Sequence, residues 1–205
     1  MKRNFGILIL VIVLFTVTLT CSAAINFDIS VFEKNPKYKV EFDDMDDTGE
    51  ISLVEGGSFI GTNQDGDKGI VLATLSIKII EEAPPVLKLK VIYYGEDWVF
   101  TDKVILKPDR SRYTFEVDRN TEIKDGMIFE IYTVVLTDES IGLLKDIVDG
   151  NIASVQYRLD GDRNVDGQLM VDVVNVKQFY DDYLSSGALN NDFSMIKVAF
   201  PCTIK

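Results

Sequence analysis

The sequence predicts a mainly β protein, an antiparallel β-sandwich of about eight to ten strands with two short helices near residues 138–149 and 176–186. Apolar and polar side chains alternate through most of the chain, which is the pattern of half-buried strands. Gly, Pro, Asp and Asn residues separate these segments as turns. In the two helical segments, the apolar residues recur every three to four positions, as in an amphipathic helix.

The composition is that of a globular protein and excludes several chemistries. The chain has 205 residues, 46% of them hydrophobic, and a domain of this size buries roughly 70% of its unfolded surface. Acidic residues outnumber basic ones by 33 to 21, which gives a net charge of −12 and repels nucleic acid and anionic lipid surfaces. Because the chain contains no histidine, Ser-His-Asp catalysis, Cys-His catalysis and His-ligated zinc are excluded.

Residues 1–24 form a predicted secretory signal peptide. Lys2 and Arg3 precede an uncharged apolar run from Phe5 to about Leu19, and small residues follow it, which is the order of regions in such signals. The apolar run is shorter than the ~20 residues that a membrane-spanning helix requires. We therefore expect an exported protein, secreted or periplasmic, with residues 25–205 as a single β-sandwich domain.

Cys21 leaves a second route of maturation open. Cleavage after Ala23 or Ala24 would release a soluble protein, whereas processing at Cys21 would lipidate it and tether a lipoprotein to a bacterial membrane. Lipoprotein signals usually have a small residue before the cysteine, and Leu19-Thr20 stands there. We therefore favour secretion, with membrane contact only through the signal or a lipid anchor. Cys202 is predicted to be a buried small hydrophobe.

The N-terminal part of the domain, residues 25–68, shows the least regular pattern. Tyr38–Phe42 and Ile51–Val54 predict a strand pair around an acidic turn. Gly69–Ile80 predicts a central strand, because both of its faces are largely apolar. Pro84-Pro85 ends it, since proline donates no hydrogen bond to a neighbouring strand.

Three antiparallel strands are predicted between Val86 and Asp118. Gly95–Asp97 and Pro108–Arg110 interrupt the alternation as turns. We expect the rest of the sheet to form around this meander. The side chains predicted to face the core are Leu87, Leu89, Val91 and Tyr93 in the first strand, Trp98, Phe100, Val104 and Leu106 in the second, and Tyr113, Phe115 and Val117 in the third.

A further strand and the first helix are predicted next. Met127–Leu136 continues the alternation. Thr137 is predicted to cap a helix whose first turn holds two acidic residues, which are favourable at the positive end of the helix dipole. Gly150 is predicted to end this helix.

The remaining chain predicts a hairpin, the second helix and a last strand. The hairpin joins Ala153–Leu159 to Leu169–Val173. Asn175 and the glutamine three residues later predict a capping box at the start of the second helix, which Gly187 ends. Phe193–Phe200 predicts the last strand.

Several short motifs follow one another in this order of elements. A Gly-x-x-Trp hairpin at Gly95–Trp98 precedes an Arg-Tyr-Thr-Phe strand at Arg112–Phe115, and a helix, a Tyr-Arg hairpin at Tyr157-Arg158 and an aromatic-rich helix come later. Over about Val86 to Leu184 the chain resembles small exported bacterial proteins of unknown function. The resemblance implies export and a β-sandwich, and it implies no activity.

A calcium site is predicted in the turn of the second hairpin. From Asp162, the segment matches the first six positions of an EF-hand loop, in which oxygen ligands alternate and a glycine turns the chain. The twelfth position holds Val173 instead of the Glu that closes the shell, and the same residue types build plain tight turns. Both interpretations stay open, the turn is favoured, and no other cofactor is expected. The candidate ligands are Asp160, Asp162, Asn164 and Asp166.

Tyr94 and Trp98 are the candidate ligand-binding aromatics. Sugar-binding modules built on β-sandwiches stack aromatic rings on sugar faces. If Tyr93 faces the core, the alternation places Tyr94 on the solvent side. A lone tryptophan at this spacing is more often part of the core.

The sequence predicts a binding or structural module of the cell envelope or exterior, with an unidentified protein or glycan as ligand. A calcium-dependent carbohydrate- or protein-binding module is the first alternative. A hydrolase with a carboxylate pair is the second, since glycosidases need only two acids. No pair stands out, because runs of acidic residues are typical of solvated faces. We therefore do not expect an enzyme.

Overall fold

A computed structural model of the protein describes residues 27–43, 45–54, 59–63, 69–80 and 83–188. The predicted signal peptide with Cys21, the predicted last strand and Cys202 lie outside these residues. Within the described ranges, every helix is too short or too polar to span a membrane.

The described residues form eleven strands and three helices. The strands are β1 (Tyr38–Asp43), β2 (Thr48–Leu53), β3 (Phe59–Asn63), β4 (Ile70–Ile80), β5 (Val86–Gly95), β6 (Lys103–Lys107), β7 (Tyr113–Glu116), β8 (Asp118–Lys124), β9 (Met127–Val135), β10 (Ser154–Asp160) and β11 (Val165–Val171). The helices are α1 (Ser30–Glu33), α2 (Gly142–Asp149) and α3 (Val173–Ser185). The predicted class, mainly β and antiparallel with two short helices, is confirmed, and α1 adds a single further turn.

The longest strand, β4, is the centre of the sheet. One of its edges pairs with β5 from Ile70 to Lys78. The other edge is shared, since β3 pairs with Ile70–Ala73 and β2 pairs with Ser76–Ile80. The sheet therefore forks at β4, where one branch continues into the β1–β2 hairpin and the other leads from β3 to β11.

The sheet curls until its two ends come together. Its strand order is β7-β6-β10-β11-β3-β4-β5-β9-β8, and the two terminal strands are separated in sequence by Val117 alone. The amide of Val117 donates a hydrogen bond to the carbonyl of Asp102 (3.3 Å). Inward side chains from both halves of the sheet join a single core, as expected for the predicted sandwich.

One face of each core strand is buried, as the alternation predicts. In β5, the side chains of Leu87, Leu89, Val91 and Tyr93 are at most 1% exposed, and the residues between them are half-buried. Helices α2 and α3 pack against each other and contribute to the same core. Their buried side chains are Leu143, Leu144, Ile147, Val176, Phe179 and Tyr183. Apolar burial of this kind contributes roughly 25 cal/mol per Å².

The starts of the two longer helices differ from the predictions. Helix α2 begins at Gly142, because the residues before it form a turn in which the Thr137 amide donates to Oγ of Ser140 (2.7 Å). Helix α3 begins earlier than predicted, and its N-cap is Asp172, whose Oδ1 accepts from the Asn175 amide (3.1 Å). Thr137 and Asn175 are therefore not the caps.

The predicted meander is wrong in its pairing, because β5 pairs with β4 and β9, whereas β6 pairs with β7 and β10. Its second strand also begins later than expected. Strand β6 starts at Lys103, so Trp98 and Phe100 lie in the loop that precedes it. Phe100 has a φ of 51°, which is left-handed backbone that a regular strand does not contain. We call residues 96–102 the tryptophan loop.

Candidate functional site

An open groove lies on the outer face of the sheet where β6, β10 and β11 run side by side. Its volume is about 320 Å³. We call it the basic groove, because three of its lining residues are cationic and one is acidic. The lining residues are Ile105, Lys107, Arg112, Gln156, Tyr157, Arg158, Asp166 and Gly167.

Strand pairing brings the polar side chains of the basic groove together. Lys107 lies opposite Gln156 where β6 pairs with β10. On the other edge of β10, Arg158 lies opposite Asp166. Residues that are directly opposite in an antiparallel pair point to the same face, so these side chains share the outer face. Arg112 joins them from the turn before β7.

Arg158 and Asp166 form a bidentate ion pair across the hairpin. Nε of Arg158 donates to Oδ1 of Asp166 at 2.6 Å, and Nη2 donates to Oδ2 at 2.7 Å. These hydrogen bonds raise the pKa of Arg158 and lower the pKa of Asp166. The two side chains remain 47% and 33% exposed. The guanidinium is thus fixed in orientation by its carboxylate but stays accessible to a ligand.

The other two cations of the basic groove, Lys107 and Arg112, differ from Arg158. Within the part of the chain that the structure describes, Lys107 and Arg112 form no ion pair and no side-chain hydrogen bond. Both are exposed to solvent. Three cations against one carboxylate give the groove a formal charge of +2, on a chain whose net charge is −12. The groove is therefore a local site of attraction for an anion.

The candidate calcium ligands lie around the turn that joins β10 to β11. Asp162 and Asn164 are exposed in that turn, and Asp166 is held by Arg158. The carbonyl of Asp160 accepts a hydrogen bond from the Asp102 amide (2.8 Å). In the described ranges, no three His, Cys, Asp or Glu side chains are grouped so that they could hold a metal ion. Calcium binding stays a prediction.

The two candidate aromatics belong to separate ring pairs. Tyr94, half-buried on the outer face, packs against Phe129 with ring centroids 4.6 Å apart. Trp98 stacks on Phe100 at 5.0 Å and an interplanar angle of 7°, and the guanidinium of Arg119 lies 5.1 Å from the Phe100 ring. Sugar binding by Tyr94 or Trp98 stays a prediction.

Glu130 fixes the tryptophan loop from inside the sheet. Its carboxylate is fully buried and accepts hydrogen bonds from the amides of Val99 (2.5 Å) and Phe100 (2.9 Å) and from the Tyr132 hydroxyl (2.5 Å). Burial, and next the hydrogen bond to Glu130, raise the pKa of Tyr132. The sequence does carry a signal for this role, because Glu130 is an acidic residue at an inward position of a strand.

The basic residues of the groove were not predicted as a site from the sequence. Arg158 and Asp166 carried a signal, since they lie at facing positions of the predicted hairpin. No local sequence pattern indicated Lys107 and Arg112, because their approach to Arg158 depends on the pairing of β6 with β10.

No family model, curated protein or solved structure matches this chain.

Proposed function

We propose that this protein is an exported binding module of the cell envelope or exterior that holds a carboxylate-bearing ligand in the basic groove. The observation that carries the proposal is the convergence of three cations on one open groove of a strongly acidic protein. Two of them, Lys107 and Arg112, have no ion pair in the described part of the chain.

The chemistry of the lining residues suits a carboxylate on a polar chain. Arginine presents a planar fork of donors that matches a carboxylate, and lysine adds a mobile positive charge. Gln156 provides an amide that can bond a hydroxyl or amide group of the ligand. Tyr157 is 4% exposed, so its ring offers no stacking surface. Recognition in the groove therefore depends on charge and hydrogen bonds rather than on ring stacking.

The groove also provides little for hydrolytic chemistry. Glycoside hydrolysis uses two carboxyl groups on either side of the scissile bond, whereas the groove lining contains Asp166 as its single carboxylate. That carboxylate is held by both hydrogen bonds to Arg158, which keeps its pKa low. A carboxylate in this state is a poor proton donor near neutral pH, so the geometry favours binding.

Titration calorimetry with three probes tests the proposal. We expect a uronic acid oligomer, a glutamate-rich peptide, or both, to bind at low ionic strength, and a neutral oligosaccharide of equal length not to bind. Lys107→Gln and Arg112→Gln should each weaken binding roughly three- to fivefold, since an exposed charge contact contributes about 1 kcal/mol or less.

Lys124→Gln is the matched control, because it removes the same charge from the exposed end of β8. It should leave the affinity unchanged. Absence of binding by both acidic probes at low ionic strength would refute the proposal. Equal weakening by Lys124→Gln would show that net charge, and not the groove, governs binding.

A further inference from the structure

A cleft separates strand β7 from the end of β9. One wall consists of the consecutive residues 112–116 and the other of Val134 and Val135, and the volume of the cleft is about 370 Å³. Neighbouring residues of a strand point to opposite faces, so a cleft that contacts all of them runs along the backbone edge of β7. The walls meet where Asp118 pairs with Thr133. We call this space the edge cleft.

Strand β7 directs backbone groups into the edge cleft. It ends the sheet, since β6 is its one partner among the strands that the structure describes. The Val117 amide donates to the Asp102 carbonyl (3.3 Å), which continues the register of the β6–β7 pair. Hydrogen-bonded and non-hydrogen-bonded pairs alternate along antiparallel strands, so Phe115 also bonds to β6. The amides and carbonyls of its neighbours Thr114 and Glu116 therefore face the cleft.

The opposite wall also presents backbone groups. Strand β8 pairs with β9 only as far as Thr133. The Leu136 amide donates to the Leu87 carbonyl of β5 (2.9 Å), so the amide and carbonyl of Val135 point away from β5 and toward the cleft. Within the described ranges, the edge cleft thus lies between two strand edges that have no neighbouring strand. A further strand is the structure that pairs such edges.

The side chains of the two walls determine the pattern that this strand needs. Phe115 and Val134 point inward and are 7% and 1% exposed. Thr114, Glu116 and Val135 are exposed on the outer side. A strand between them therefore needs apolar side chains at alternate positions for its inner face, whereas its outer side chains can be polar.

The chain contains a segment with this pattern shortly after α3. Residues 193–200 predict a strand and lie outside the residues that the structure describes. The side chains predicted to share one face are Ile196, Val198 and Phe200, and those predicted for the other face are Lys197 and Ala199.

Helix α3 brings the chain close to the edge cleft. Its Tyr183 lines a neighbouring groove together with Val135 and Thr137, and these two residues also line the edge cleft. Ala188, the last described residue, follows soon after the helix. The five residues from there to Phe193 extend up to about 17 Å, which is more than three strand spacings of about 4.8 Å. The segment can therefore reach the cleft of its own chain.

We infer that residues 193–200 occupy the edge cleft of their own chain as a further strand, which pairs with Thr114 and Glu116 of β7. The apolar face of the segment joins the core beside Phe115, and its backbone pairs groups that the sheet leaves open. Pairing within one chain also covers an edge that other chains could use as a template. The inference goes beyond the proposed function and does not depend on it, although Arg112 lines both the edge cleft and the basic groove.

Amide hydrogen exchange of the full chain, measured by NMR, tests the inference. The amides of Tyr113 and Phe115 bond to β6 and are the reference amides within the same strand. The amides of Thr114 and Glu116 are the cleft-facing amides. We expect the cleft-facing amides to exchange as slowly as the reference amides, within about fivefold. At an open edge they would exchange much faster, because water reaches them directly.

Proline substitutions in the segment provide a second measurement. Val198→Pro and Ala199→Pro each remove a backbone donor, and since neighbouring residues face opposite edges, one of the two donors faces β7. At least one of these variants should speed the exchange of the cleft-facing amides by about fivefold or more, as the loss of one hydrogen bond predicts. The reference amides should not change. Thr203→Pro, outside the segment, is the matched control and should exchange like the wild type.

The exchange pattern of the wild type can refute the inference even if a proline variant fails to fold. Cleft-facing amides that exchange like those of an open edge would overturn it. Protection that disappears on dilution would identify a second copy as the occupant of the cleft and would overturn it as well. Protection that both proline variants leave intact, or that Thr203→Pro removes equally, would exclude residues 193–200 as the occupant.

Discussion

The buried carboxylate of Glu130 provides a direct test of what holds the tryptophan loop in place. The change is Glu130→Gln, which keeps the size of the side chain and removes its charge. The carboxylate accepts hydrogen bonds from the Val99 and Phe100 amides and from the Tyr132 hydroxyl. An amide has one acceptor oxygen instead of two, so at least one of these buried donors loses its partner.

The expected loss of stability follows from these three bonds. A hydrogen bond to a charged group contributes about 1.5–3 kcal/mol, and a buried donor left without a partner costs about 1–3 kcal/mol. Neutralising the side chain also removes the penalty of burying a charge, which offsets part of the loss. We therefore expect Glu130→Gln to lower the free energy of unfolding by about 2–3 kcal/mol. For a domain of this size that is roughly 4–12 °C in Tm.

Urea denaturation followed by circular dichroism measures the free energy of unfolding. The protein contains a single tryptophan, so acrylamide quenching of its fluorescence reports on the tryptophan loop alone. We expect stronger quenching in Glu130→Gln, because Trp98 lies next to Val99. Glu122→Gln, at an exposed residue of the adjacent strand, is the matched control and should change stability by about 0.5 kcal/mol or less. A Glu130→Gln protein with wild-type stability and quenching would refute the role given to Glu130.

Four further outcomes are expected. Asp172→Ala should lower the free energy of unfolding, measured by urea denaturation, by about 0.5–2 kcal/mol, as for other N-cap residues, and by more than Asn175→Ala does. A larger loss in Asn175→Ala would indicate that Asn175 is the cap. Gly61→Ala should destabilise the protein by about 1–3 kcal/mol, because a Cβ would lie 2.7 Å from a backbone oxygen of β4; a neutral effect would contradict this packing. Arg158 lowers the pKa of Asp166, so the pair stabilises the fold above the ordinary aspartate pKa of about 3.9 and loses this effect as the pH falls through the lowered value. Asp166→Asn should therefore be less stable than wild type at neutral pH and should approach the stability of wild type in acid. A difference in stability that is constant with pH would contradict this. If the β10–β11 turn binds calcium, about 1 mM calcium should raise Tm, and an unchanged Tm would remove the prediction.

The alternation of side chains predicted the sheet well, because it is a local property of each strand. Leu87 and Tyr93 are buried where the period of two places them, and Tyr94 lies on the opposite face. The helix starts were harder to predict. Both Asp172 and Asn175 are good cap residues, and the choice between them depends on the strand that ends at Val171.

The candidate site was mostly beyond prediction from the sequence, for a physical reason. Lys107 and Arg158 are about 50 residues apart in the chain, and only the pairing of β6 with β10 brings them to one groove. Strand order is set by long-range packing and is not written in any local pattern. Export, and the choice between cleavage near Ala23 and lipidation at Cys21, stay predictions.

The outer face of β4 carries three polar side chains, Thr74, Ser76 and Lys78, beside its apolar ones. A slip by one residue would turn these polar side chains towards the core, so the sequence of β4 itself specifies its register. Close backbone contact adds a second constraint, since a Cβ at Gly61 would lie 2.7 Å from the Val71 carbonyl oxygen, and a slip would bring a side chain there.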